Sequence, residues 1–206
     1  MIKINVPYNW QVDNEAIVRE DLDINFKGSS QCGPQSACMF LSTWIPDFSK
    51  DSFVKKYIMR IDKDWISGKK ENRISSFQAN HVPIIQLYLN EYKISRTVLV
   101  VPYGGKLELV IQSLENGSPL VLSTKLTSAG HYIVIVGWDE KARDFICHDP
   151  FGVFDFDKKK YKLIKDQVGA FVRYGYDDIM PFLEMSSKAA SNNKFGGMRF
   201  IYSVPK

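Results

Sequence analysis

Apolar residues recur at helical spacing in the first half of this chain and fall into short β-branched runs in the second. Ala37, Phe40, Leu41 and Trp44 follow Pro34 at helical spacing, and proline suits a first helical turn. That helix should end before Pro46. Phe53, Tyr57, Ile58 and Ile61 predict a second helix, begun by Asp51 or Ser52. Residues 62–75 are charged, contain Gly68 and read as a loop. Val82, Ile85, Leu89 and Tyr92 predict a third helix. Thr97–Val101 then reads as a strand, and Leu107, Val110, Ile111 and Leu114 as a short helix that Gly117 can end. Leu120–Ser123, Tyr132–Val136 and Phe145–Cys147 read as strands, the last two joined by a polar turn at 139–144, a hairpin signal. Phe171–Tyr174 and Phe200–Tyr202 are further strand candidates.

Helices before strands is an α+β order. The expectation is one domain over residues 1–206. An extended segment (1–30) would precede a mainly helical half (31–116), which packs on an antiparallel sheet from the second half (117–206). The groove between the halves is the natural place for a site.

Hydrophobic residues make up 45% of the 206 and aromatics 13%, enough for a sizeable core and against a disordered chain. The net charge of +4 is too small to imply a nucleic-acid partner. Lys158-Lys159-Lys160 reads as a solvated turn. A weak attraction to an anionic polymer such as a bacterial wall fits the charge. No signal-peptide pattern follows Met1, and no window reaches the ~18 apolar residues of a membrane span. The expected location is the cytoplasm, with release to a cell wall only by lysis.

Three cysteines, Cys32, Cys38 and Cys147, cannot all pair, and no C-x-x-C spacing occurs. They read as free thiols. Cys32 stands where a loop becomes a helix, between Gln31 and Gly33-Pro34. A helix N-terminus carries about +0.5 charge and unpaired N–H groups. Both favour the thiolate, which is the nucleophilic form. Gly33 leaves the space beside the sulfur open, and Pro34 fixes the turn without losing a needed donor. The bland alternative is a buried small hydrophobe, which is how Cys38 and Cys147 read.

A thiolate needs a base, and there are three histidines. His81 lies before Pro83 and reads as a surface or helix-end residue. His131 follows Gly130 at the mouth of the strongest strand, within reach of a cleft; the alternative is a satisfied edge histidine. If 139–144 turns the chain back, His131 and Asp149 lie at the same end of the sheet. Asp149 could then accept a hydrogen bond from one ring nitrogen and leave the other for sulfur. Pro150 keeps Asp149 extended, and Gly152 permits a sharp exit. Alternate strand residues face opposite ways, so His148 and Asp149 should not share a cleft. A metal site from Cys147, His148 and His131 lacks clustered spacing; no metal or cofactor is expected.

Three segments in this order, Gln31-Cys32-Gly33-Pro34, then 130–139 from Gly130-His131 to Trp138-Asp139, then Asp149-Pro150-Phe151-Gly152, resemble the papain-like cysteine peptidases related to the bacteriocin-leader-processing family. The stand-alone branch is the nearest match, since no transporter helices follow. The resemblance runs from Val6 to about Asp178 and includes Gly169-Ala170-Phe171-Val172-Arg173-Tyr174. It implies a papain-like fold and a triad of Cys32, His131 and Asp149. It also implies an oxyanion-hole glutamine upstream of the cysteine. The segment Val6-Pro7-Tyr8-Asn9-Trp10-Gln11 is similar to that motif, which makes Gln11 the choice and Gln31 the rival.

The implied chemistry is hydrolysis of a peptide or amide bond through a thioester. A peptide, a protein or a cell-wall peptide is the partner. A lysin-like wall hydrolase and a non-catalytic peptide-binding module on the same fold are the alternatives. Oligomeric state has no signal in the sequence.

Overall fold

The computed structural model describes residues 1–206 except 13, 21–23, 47–49, 62–80, 166 and 184–197. The loop expected at 62–75 and a Ser-, Asn-, Lys- and Gly-rich tail at 186–197 lie outside the described residues.

The first helix, α1, spans Cys32–Ser42 and is buried from Gly33 to Leu41. A helix covered all round belongs in a core rather than at a surface. It starts at the loop-to-helix junction the sequence marks and stops before Pro46. Helix α2 (Lys50–Met59) and helix α3 (Val82–Glu91) pack around it.

A seven-stranded sheet supports this helical layer. Its strands are β4 (Arg96–Gly105), β5 (Leu120–Thr124), β6 (His131–Asp139), β7 (Asp144–His148), β10 (Val172–Gly175) and β11 (Met198–Pro205), with β1 (Ile2–Lys3) added to β6. Their order is β10-β7-β6-β5-β11-β4, and every pairing is antiparallel. Antiparallel neighbours with short turns are what the hairpin signal at 139–144 requires.

Period-two alternation sends successive residues to opposite faces. Val134 and Val136 of β6 meet Met39 of α1, while Ile133 and Ile135 meet the opposite layer. Both faces of β6 are therefore covered, and nearly all of its residues are buried. Each large apolar side chain buried here contributes roughly 1.5–3 kcal/mol, so β6 is among the most firmly held elements.

The opposite layer differs from expectation. Helix α4 (Leu107–Glu115) does not join α1–α3; its Val110 and Leu114 pack on the far face with Leu120, Leu122 and Phe200. A small hairpin, β8 (Val153–Asp155) with β9 (Lys160–Leu163), adds Phe154 to that core. The sequence reading did not find this hairpin. It did place Lys158–Lys160 in a solvated turn, and those residues are exposed where the hairpin reverses. The N-terminal segment is extended but not featureless: it supplies β1, a ribbon of β2 (Ile17–Arg19) with β3 (Ile24–Phe26), and a 3-10 turn at Gly28–Ser30 that feeds α1. A short helix α5 (Tyr176–Ile179) and a 3-10 turn at Met180–Phe182 follow β10.

Candidate active site

Cys32 is the first residue of α1, and Gln31 is its N-cap without a side-chain capping bond. Early helical amides have no intrahelical partner. The backbone N–H of Gly33 is turned to the Cys32 sulfur, as is that of Tyr132 from β6. Burial alone would raise the thiol pKa. The hydrogen bond and charge of His131, with those two N–H groups, reverse this and leave it below its ordinary value.

His131 opens β6, paired with Thr124 of β5. Its Nε2 lies 2.8 Å from Oδ1 of Asp149, and both residues are buried. The ring also hydrogen-bonds Cys32, and with Nε2 occupied this contact falls to Nδ1. Burial disfavours the imidazolium, but the charge and hydrogen bond of Asp149, with those of Cys32, outweigh it and raise the ring's pKa well above its ordinary value. The pair thus favours thiolate beside imidazolium over thiol beside neutral imidazole.

Asp149 lies just past the end of β7 and is 0% exposed. A buried carboxylate needs its lone pairs filled. Oδ1 also accepts from the Phe151 N–H at 3.0 Å, and Oδ2 accepts from the Tyr161 and Tyr174 hydroxyls at 2.9 and 2.8 Å. Burial first, then the charge of Asp149, pushes both phenols far above their ordinary pKa, so they remain donors. The backbone is held as well. Asp149 N–H donates to Gly169 O at 2.9 Å, and Tyr8 donates to Asp149 O at 2.9 Å. A Cβ on Gly169 would stand 1.9 Å from Asp149 O, so only glycine permits this approach.

The two glutamines differ. Gln31 is buried with both amide hydrogens used, on Glu15 O at 3.1 Å and Phe26 O at 2.9 Å, while its oxygen accepts from Asn14 at 2.8 Å. Gln11 is 1% exposed and donates from Nε2 to Ser29 O at 2.9 Å, on the turn leading into Cys32. Its Oε1 has no hydrogen-bond partner among the described residues.

The other cysteines and histidines lie elsewhere. Cys147 is buried in the far core, with its thiol pKa pushed up by burial. Cys38 is buried with α1–α3. His148 faces the opposite side from Cys147, its Nε2 donating to Val6 O at 2.7 Å and its Nδ1 accepting from Phe171 N–H at 3.1 Å. Burial lowers its pKa to about 4 despite the Val6 contact, helped by the charge of Lys3. His81 stands at the start of α3, as expected of a helix-end residue, but it is not on the surface. It is 6% exposed, hydrogen-bonded to Tyr57, and lies so close to Gly33 that a Cβ there would be 2.7 Å from its ring. Burial, with the nearby charge of Arg199, lowers its pKa to about 4.

Sequence reasoning assigned no role to Tyr161, and it placed Tyr8, Gly169 and Tyr174 in segments of the resemblance without tying them to Asp149. Their contacts with Asp149 are long-range, and no local pattern marks a tyrosine as a carboxylate donor.

An α+β fold with a helix-borne cysteine, and a histidine and carboxylate from the adjoining sheet, defines a papain-like peptidase fold. The model of the Peptidase_C39 like family matches residues 3–177, and the chain belongs to that family, one of cysteine peptidases. No curated protein matches the chain. Among the described residues, no helix is long and apolar enough to cross a membrane.

Proposed function

We propose that this protein hydrolyses peptide or amide bonds with Cys32 as nucleophile, His131 as acid–base and Asp149 as the group that fixes His131. The observation that carries this is one imidazole ring bridging the Cys32 sulfur and the Asp149 carboxylate. The thiolate attacks the substrate carbonyl carbon, and the oxyanion takes hydrogen bonds from the Cys32 backbone N–H and the Gln11 amide. The imidazolium gives its proton to the leaving nitrogen as the C–N bond breaks, and a thioester remains. Water attacks the thioester, His131 takes up its proton, and the acid leaves as the thiolate re-forms. Gln11 is preferred to Gln31 because both amide hydrogens of Gln31 are already committed.

The site belongs to one domain spanning the chain and to the stand-alone branch of the family, acting on a peptide or protein. The same chemistry on bacterial wall cross-link peptides is the second reading, favoured by the net charge of +4. The test compares wild type and Cys32→Ala on a peptide library and on a turbid wall suspension. Cleavage of peptides by wild type alone supports the proposal, and clearing of walls selects the second reading. Equal rates for the two proteins would remove Cys32 from the mechanism.

A further inference from the structure

The loop that leads into His131 also walls a cavity. Residues 125–130, with Phe154, Lys159 and Phe182, line about 460 Å³. Backbone bonds hold this shape. Gly130 N–H donates to Thr127 O at 3.1 Å, and the Thr127 hydroxyl donates to Gly130 O at 2.6 Å. Lys125 N–H donates to Phe182 O, and the Phe154 and Phe182 rings meet edge to face at 5.3 Å.

The cavity's charge is one-sided. Among the described residues its ionisable lining residues are Lys125 and Lys159, and no carboxylate lines it. Among the described residues neither lysine has an ion-pair partner. Of the acids near Lys159 in sequence, Asp155 turns its Oδ1 to the Lys158 N–H at 2.9 Å. Two such cations beside an aromatic wall suit an anion carried on an apolar stem.

The cavity adjoins the chemistry. Gly130, in its lining, precedes His131, whose ring reaches the Cys32 sulfur. A substrate whose carbonyl is at the sulfur and whose chain runs past Gly130 would reach this opening.

We propose that this cavity is a substrate subsite for a carboxylate near the scissile bond. It takes either an acidic side chain or the free α-carboxylate of a chain end. The stem packs on Phe154 and Phe182, and the carboxylate lies between Lys125 and Lys159. This assignment rests on the peptidase reading above.

The test uses fluorescent peptides with Glu, Gln or Lys at each position flanking a cleavable bond, and a matched pair ending in free carboxylate or amide. Each is assayed for kcat/KM with wild type and for binding to Cys32→Ala protein by fluorescence polarisation. At low salt one position should favour Glu over Gln by about tenfold, and added salt should shrink the margin. Lys125→Glu with Lys159→Glu should turn the preference to Lys while still cleaving the Gln peptide. Preference for an internal Glu identifies a side-chain subsite; preference only for the free end identifies a chain-terminus subsite. Equal handling of Glu, Gln and Lys by wild type, or a Glu preference that survives the double reversal, overturns the subsite. Acidic peptides that bind selectively but are never cut would overturn the hydrolase reading and leave the subsite standing.

Discussion

Replacing Asp149 with Asn removes one negative charge and keeps the side chain's shape. In the native site that carboxylate accepts four hydrogen bonds, from His131, Phe151, Tyr161 and Tyr174. An asparagine oxygen can serve the two phenols, but its NH2 then faces the His131 and Phe151 donors, so the variant loses geometry as well as charge. Unit charges about 4 Å apart at an effective dielectric of ~20 attract by ~4 kcal/mol. At 1.36 kcal/mol per pH unit this sets a ceiling of roughly 3 units. The amide dipole and local relaxation return part, leaving about 1–2 units. Losing that attraction weakens the imidazolium and lowers its pKa. His131 stays protonated on both sides of the Cys32 titration, and the lost negative charge itself favours the thiolate, so the acid limb of Cys32 alkylation by iodoacetamide should not move up. The alkaline limb of hydrolysis, where the imidazolium loses its proton, should move down by about 1–2 pH units. Alkylation is followed by peptide mapping, so the measurement needs no knowledge of the substrate. An alkaline limb that stays within about 0.3 units of wild type, or an acid limb that moves up by about one unit, would refute the electrostatic reasoning.

Other substitutions separate catalytic from structural roles. Gln11→Ala should lower kcat by about 10²–10³ with little change in Tm. Gln31→Ala should chiefly lower Tm, because it removes a buried side chain and its three hydrogen bonds to Asn14, Glu15 and Phe26; the reverse pattern would exchange the two assignments. Gly33→Ala places a Cβ 2.7 Å from the His81 ring and should cost about 1–3 kcal/mol in urea unfolding. An unchanged midpoint would mean that His81 can move aside. His81 and His148 are held neutral, with pKa values lowered to about 4 from 6.5. The unfolded chain binds protons that the folded one refuses between these values. Stability is thus complete above about pH 6.5, falls through the window and is lost by about pH 4. Urea titrations at about pH 6.5 and 5 should differ by about 2 kcal/mol per histidine; equal stability would contradict the burial of both rings.

The sequence carried the helix-to-strand order because periodicity is local. The junction at Gln31-Cys32-Gly33-Pro34 was legible for the same reason, since a proline in the first turn marks where α1 can begin. Placing His131 and Asp149 at one sheet end needed only the hairpin at 139–144. The actual register pairs Val134 with His148 and shifts between Ile135 and Gly137, which leaves Asp149 diagonal to His131 rather than opposite. What local reading could not give was set by distant partners. Tyr161 and Tyr174 find Asp149 through the β8–β9 hairpin and β10, and neither tyrosine looks different in sequence from a core or edge residue. His81 read as a helix-end residue because nothing near it in sequence reveals that it packs on Gly33 and Tyr57. Helix α4 carries the apolar spacing expected of it, yet spacing does not say which face of a sheet a helix covers.

Titration of the reactive thiol tests the central claim most directly. Wild-type protein is treated with increasing iodoacetamide near pH 6, about where an ordinary thiol is scarcely ionised, and the label and residual peptide hydrolysis are followed together. We expect the first equivalent to fall on Cys32 alone, with activity lost in proportion to that label while Cys38 and Cys147 remain free. A chain that keeps its activity with Cys32 fully alkylated, or one whose three cysteines react alike, would contradict the account.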